Sequence, residues 1–220
     1  MLHFEAELTE LRQRLLAMAS HATAAVRLSV RAVVERDDEL ARQVEADDTI
    51  LDNFEKEVDE ASLQLLARAP LARDLRFIVV ATKLGHDLER IGDEATAIAR
   101  RAMDLSREPQ LKPYLDVNRM RQMVIEMIND AIGSFVALAG EKARSVVARD
   151  RDVDELNRQL HRELTSFIAE DPANISRCLN LMQISKRLER IGDHATNIAE
   201  EVVYLSEAKD IHHTGVKAAA

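Results

Sequence analysis

Apolar residues recur every three or four positions over long stretches of the chain. Between residues 71 and 105 the sequence places Leu71, Leu75, Ile78, Ala81, Leu84, Leu88, Ile91, Ala95, Ile98, Ala102 and Leu105 in one seam. On a helix of 3.6 residues per turn these positions share a face, as in a bundle or coiled-coil helix. No segment alternates with a period of two over a useful length, so no strand is predicted. Prolines mark the breaks. Pro70 in ARAPLARDL and Pro172 in AEDPANIS each interrupt a helical pattern, and Pro109 and Pro113 lie together in the polar stretch SREPQLKPYLD. Helices are predicted near 3–36, 38–68 and 71–107, and again near 114–140, 142–170 and 172–207. Three long helices with tight connections run up, down and up. The predicted fold is all-α: two tandem antiparallel three-helix bundles, at 1–108 and 114–210, each with its own core.

The two halves are copies of one unit. LERIGDEATAIA from Leu88 and LERIGDHATNIA from Leu188 agree at ten of twelve positions. Further upstream, ADDTILDNFEKEV matches RDRDVDELNRQL at an offset of 102, which aligns Asp48 with Asp150 and Asp52 with Asp154. Pro70 and Pro172 share that offset, whereas the LERIGD segments are 100 apart, so two residues are missing near the start of the sixth helix.

Acidic residues recur four apart in both copies: Asp48 and Asp52, Glu89 and Asp93, Asp150 and Asp154, Glu189 and Asp193. That spacing stacks two carboxylates on one helix face, where like charges cost roughly 0.2–0.5 kcal/mol per pair. A multivalent cation held by oxygen ligands from two facing helices would offset the repulsion. Any single pair taken alone reads as solvated surface. Comparing the halves favours the metal: in the stripe Glu45, Asp48, Asp52, Glu55 and Asp59, position 45 becomes Val147 and position 55 becomes Asn157, while Asp48 and Asp52 keep acidic counterparts. Gly92 and Gly192 fall between the paired acids, although glycine within a helix costs about 1 kcal/mol relative to alanine. They make room either for a metal cluster or for a tight helix crossing.

Other residues of interest are less informative. His86 precedes Glu89 by three, but its counterpart is Lys186, which argues against a ligand role common to both halves. His194, whose counterpart is Glu94, is a candidate accessory ligand. Arg90 and Arg190 balance charge beside the acids, and Cys178, in an apolar run, belongs to the core.

Composition narrows the function. The 220 residues include no tryptophan, one cysteine, 46% hydrophobic and 31% charged residues, with a net charge of −9. The single cysteine excludes an intramolecular disulfide and fits a reducing compartment. The start MLHFEAELTEL lacks signal-peptide character, and no apolar run is long enough to span a bilayer, so a cytoplasmic protein is expected. The negative charge disfavours nucleic acid, anionic lipid and direct binding of free phosphate. There is no phosphate-binding glycine loop, no Ser-His-Asp set and no HExxH. No enzymatic activity is expected. The alternatives are a metal-dependent phosphohydrolase or a carboxylate-bridged dimetal enzyme, and a helical scaffold with solvated acids. Ferritin-like dimetal sites place a histidine three residues after a glutamate; here Gly92 and Gly192 occupy those positions.

The tandem units, the segment ARAPLARDLRFIVVATKLGHDLERIGDEA and the closing LERIGDHATNIAEEVVYL resemble the PhoU family of phosphate-uptake regulators, over about residues 3–213. The resemblance implies a cytoplasmic metal-binding adaptor that restrains the phosphate-starvation response. Its implied partners are the ATPase subunit of the phosphate ABC transporter and a phosphate-sensing histidine kinase, and it would reach the membrane only through them. It also implies multinuclear clusters of iron, manganese or magnesium on Asp48, Asp52, Glu89 and Asp93, and on Asp150, Asp154, Glu189 and Asp193. A homodimer is expected as well. The chain departs from the family in two places. The second copy opens DPANISRCLNLM, which predicts a different helix start, and the tail AKDIHHTG carries His212 where the family often has arginine.

Overall fold

The computed structural model describes residues 2–68, 71–209 and 211. Pro70 and His212 lie outside them. Six long helices make up the described chain: α1 (Leu2–Glu35), α2 (Asp38–Leu66), α3 (Ala72–Ser106), α4 (Leu115–Ala137), α5 (Gly140–Glu170) and α6 (Ile175–Glu207). Helices α1–α3 form one antiparallel bundle and α4–α6 the other. A 3₁₀ turn at Pro172–Asn174 precedes α6, with Asp171 accepting the Ala173 amide at 3.0 Å, so the second copy does start its last helix differently.

Local chemistry sets the turns. Asp37 caps α2 by accepting the amides of Glu39 and Leu40 at 2.9 and 3.1 Å. Helix α1 closes on Arg36, whose φ of 57° is left-handed, and the Asp37 amide returns to the Ala32 carbonyl at 3.1 Å. Helix α4 closes the same way, with Leu138 at φ 51° and the Ala139 amide on Ser134 O at 2.9 Å. These are Schellman closures that satisfy carbonyls at the helix ends. They lie 102 residues apart, so the duplication extends to a left-handed turn that neither copy marks with glycine.

The linker is fastened to both halves. Arg36 donates to the carbonyls of Ser106 (2.9 Å) and Glu108, where the exposed carbonyl end of α3 favours a cation. Arg177 donates to Pro109 O at 3.3 Å, and Lys112 bridges Asp116 and Glu163.

The expectation of two separate cores is not met. Helix α3 packs along α6 as extensively as along its own bundle partners, and α1 also meets α4. One apolar core runs through both halves and includes Cys178. At its edge, Phe77 and Phe135 stack with centroids 5.8 Å apart, and the Arg12 guanidinium lies 5.2 Å from the Phe77 ring. The α3 seam is buried from Ile78 to Leu105, but Leu71 and Leu75, its predicted first members, are 78% and 44% exposed. There they lie on the outer face of α3, as Val79 does one turn on, while Phe77 and Ile78 are buried. Their equivalents on α6 behave alike: Ile175 and Leu179 are exposed, as are Leu75 and Val79, 100 residues earlier.

Charged groups line the antiparallel α3–α6 contact. Lys83 Nζ donates to Glu201 at 2.6 Å, His194 Nδ1 lies 2.8 Å from Asp87 Oδ1, and Arg187 and Arg190 reach Glu94 at 2.9 and 3.3 Å. Positions 87 and 187, and 94 and 194, are equivalent in the repeat. The same contact is therefore made twice about a pseudo-twofold axis, once as Asp–His and once as Glu–Arg.

The two motif glycines differ. A Cβ on Gly92 would overlap Leu51 Cδ1 in the core, whereas one on Gly192 would meet Val153 Cγ1 at 3.6 Å, an ordinary contact. Tight helix crossing explains Gly92. It does not explain Gly192. Gly192→Ala should raise Tm by a few degrees, through about 1 kcal/mol of helix propensity. Gly92→Ala should lower Tm, because overpacking a core costs about 1–3 kcal/mol. Adding Leu51→Val, the residue type at position 153, should restore it. Thermal melts followed by circular dichroism decide the matter, and equal shifts for the two alanines would contradict this account.

Candidate metal centre

Heptad spacing carries Asp48, Asp52 and Glu55 along α2, and His86, Glu89 and Asp93 along the side of α3 that meets it. Asp48 accepts a hydrogen bond from Thr96 Oγ1 at 2.9 Å. Asp52 is half-buried. Asp93 accepts from Arg90 at 2.8 Å, and Arg90 Nε lies 3.4 Å from Glu89 Oε2, so Arg90 balances charge as the sequence suggested.

Glu89 is the least satisfied of these acids. Its side chain is only 13% exposed, and Oε2 is buried without a hydrogen-bond donor. Burial first, then the negative charge of Asp93, push its carboxyl above the ordinary glutamate range. The Arg90 guanidinium pairs with that oxygen without a hydrogen bond to it, and carboxylate oxygens so placed fit a multivalent cation.

The second half is similar in plan but better neutralised. Asp150 is buried, with Thr196 Oγ1 at 3.4 Å, mirroring Asp48 and Thr96. Glu189 holds Lys186 Nζ at 2.7 and 2.5 Å from its two oxygens. Asp154 and Asp193 are half-buried. His194, the candidate accessory ligand, instead engages Asp87 at the interface between the halves, and Arg190 serves Glu94 there.

Neither set of four predicted carboxylates closes into a compact cage. Among the described residues, three ligand atoms within 4.8 Å of one another come from Glu55, His86 and Glu89. His86 Nδ1 lies 3.1 Å from Glu55 Oε1. Comparing the halves had set Glu55 and His86 aside because their counterparts are Asn157 and Lys186; that comparison detects only what both halves share. Thr96 and Thr196, the donors to Asp48 and Asp150, stand at identical positions of the LERIGD repeats.

The raised pKa of Glu89 has a consequence for stability. A carboxyl whose folded pKa exceeds its unfolded value favours folding when protonated, and that contribution is lost as pH rises through the folded pKa. In chelator at pH 7, Glu89→Gln should therefore melt above wild type. The advantage should vanish as pH falls below the ordinary glutamate pKa of about 4.3. A variant less stable than wild type at pH 7 would show that the carboxylate is satisfied within the fold.

The comparisons with known proteins agree with the tandem six-helix fold. The family model for the PhoU domain matches residues 15–102 and 117–202, one match in each half. A phosphate-specific transport system accessory protein PhoU homolog from Pseudomonas putida is 42% identical over 216 residues, covering 97% of this chain and 84% of that one. A homolog of the same name from Aquifex aeolicus is 40% identical and covers 96% of each chain. Among solved structures, PhoU from Pseudomonas aeruginosa superposes with a TM-score of 0.91 at 40% identity, covering 94% of this chain and all of that one. The phosphate transport system regulatory protein PhoU from Streptococcus pneumoniae gives 0.88 at 26% identity, covering 94% and 99%. With both halves matched and the whole six-helix fold shared, the chain belongs to the PhoU family.

Proposed function

We propose that this protein regulates phosphate uptake as an accessory to the phosphate transport system and represses the phosphate-starvation response. The full-length match to relatives bearing that name carries the reading. In finer detail, the chain acts at the cytoplasmic face as an adaptor, alone or as a homodimer, between the transporter's ATPase subunit and a phosphate-sensing histidine kinase. Two features support an adaptor. The halves share one apolar core across the α3–α6 contact, and its charge pairs favour a single register, which suits a rigid spacer. Each half also leaves an apolar pair at the start of its third helix, Leu75 with Val79 and Ile175 with Leu179, outside the core. No helix among the described residues is long and apolar enough to cross a membrane.

The carboxylate pairs on α2/α3 and α5/α6 are proposed to hold multivalent cations such as iron, manganese or magnesium. When bound, these would neutralise the acidic face; Asp48, Asp52, Glu89 and Asp93 would hold them in the first half, and Asp150, Asp154, Glu189 and Asp193 in the second.

Deletion of the gene should derepress phosphate-scavenging genes in phosphate-rich medium, measured with a phosphatase reporter, and the wild-type chain should restore repression. The quadruple variant Asp48→Asn, Asp52→Asn, Glu89→Gln, Asp93→Asn retains side-chain volume. It should stay helical, bind less metal and fail to restore repression. Unaltered reporter activity after deletion would refute the regulatory role. Full repression by the quadruple variant would separate the metals from that role. Hydrolysis of phosphate esters by purified wild type, lost in the variant, would favour the phosphohydrolase instead.

A further inference from the structure

The two bundles differ at a place away from the carboxylate pairs. Between α4 and α5 lies an open cleft of about 550 Å³. Arg119, Met123 and Met127 step by fours along its α4 side, and Asp152, Leu156 and Gln159 by four and three along its α5 side. That is the spacing of a bundle seam. Met127 and Leu156 are buried at its base, and Met123 is half-buried.

The first bundle closes the same seam with its own side chains. At the repeat offset of 102, His21 stands in the place of Met123 and Phe54 in that of Leu156. Their rings meet with centroids 5.4 Å apart. The cleft that remains beside His21, Ala24 and Asp47 measures only about 50 Å³. Helices α4 and α5 also touch one another less than α1 and α2 do. Ala17, Ala24 and Ile50 correspond to Arg119, Glu126 and Asp152, so the second bundle has lost two rings at this seam and gained three charges. Among the described residues, none of these three charged side chains has an ion-pair or hydrogen-bond partner.

We propose that the α4/α5 cleft docks an amphipathic helix of a partner protein, which completes the second bundle as a fourth helix. A floor of methionine and leucine suits this, because unbranched thioether side chains adapt to the apolar knobs they meet. The charges fix direction. Glu126 and Asp152 lie toward the Leu138 turn, and Arg119 lies about 10 Å from Glu126 along α4 at 1.5 Å per residue. A helix with acids in its first turn and bases in its last has the order that its own dipole favours. Running parallel to α4, it sets its acids beside Arg119 and its bases beside Glu126 and Asp152. This occupant deepens the adaptor reading, and rests on it only for which protein supplies the helix.

Fluorescence anisotropy on the full-length chain tests the cleft, with labelled model helices of about 16 residues, apolar at every third or fourth position. One helix carries glutamates in its first turn and lysines in its last, and the other reverses them. The first should bind one-to-one and at least about tenfold more tightly than the second. Met123→His with Leu156→Phe, which reproduces the first bundle, should weaken that binding at least about tenfold while circular dichroism stays unchanged. The triple variant Arg119→Glu, Glu126→Lys, Asp152→Lys changes only side chains without partners, and should invert the preference between the two helices. It keeps the test decisive if the ring-filled variant folds poorly. Failure of both helices to bind, equal affinity for the two, or a preference that survives the triple variant would overturn the proposal. The reporter strain reads regulation separately, so loss of the docking site and loss of the regulatory role are told apart.

Discussion

The antiparallel packing of α3 against α6 is the constraint on which the rest of the molecule depends. Each helix is the third of its own bundle and also half of the contact between bundles, so it must be apolar on more than one face. The seam from Ile78 to Leu105 and its copy on α6 are accordingly buried almost throughout. Polar groups in this contact are partnered across it: Lys83 with Glu201, Asp87 with His194 and Asn197, Glu94 with Arg187 and Arg190. Such partly buried pairs add little net stability over apolar residues, but a charge left alone there is costly, so the pairs penalise any other register of the two helices. The carboxylate pairs of Glu89 and Asp93, and of Glu189 and Asp193, stand on these same helices, and their positions follow from that register.

Duplication conserved the frame and released the details. The left-handed closures at Arg36 and Leu138 and the Thr-to-Asp bonds inside each bundle were kept, as were the apolar residues exposed at the starts of α3 and α6. The charges at the helix contact were exchanged between types rather than copied. Leu51 became Val153, which loosened the crossing at Gly192, and Gly85 became Ser185, which gave Asn157 a donor. Each change alters what the neighbouring carboxylate requires. Glu189 is paired with Lys186 and Glu89 with Arg90, each from its own helix.

The adaptor role proposed for this chain asks for rigidity, recognisable surfaces and a fixed charge pattern. The structure is consistent with those needs. Arg36, Arg177 and Lys112 fasten the linker to both halves, so the bundles are held as one body rather than tethered. A metal held between α2 and α3 would add to this by joining helices whose carboxylates otherwise repel, and binding only the folded state stabilises it by mass action.

The helices, their breaks and the repeat were legible in the sequence, because periodicity and proline placement are local properties that tertiary packing did not override. Every helix was anticipated to within a few residues, and the acidic pairs were visible as a pattern written twice. Three things were not legible. The single core arose because α3 and α6 bury a second face, and one seam of Leu, Ile and Ala says nothing about how many neighbours it meets. Leu71 and Leu75 continue that seam in sequence yet stand in solvent, because the neighbouring helices cover the Phe77 and Ile78 side of α3 there. Glu55 and His86 were set aside because their counterparts differ, although they approach Glu89 within ligand distance. Sequence reports what one helix can present. Which side chains from two helices meet is set by how closely the backbones approach, and here Gly85 against Val58 and Gly92 against Leu51 fix that distance.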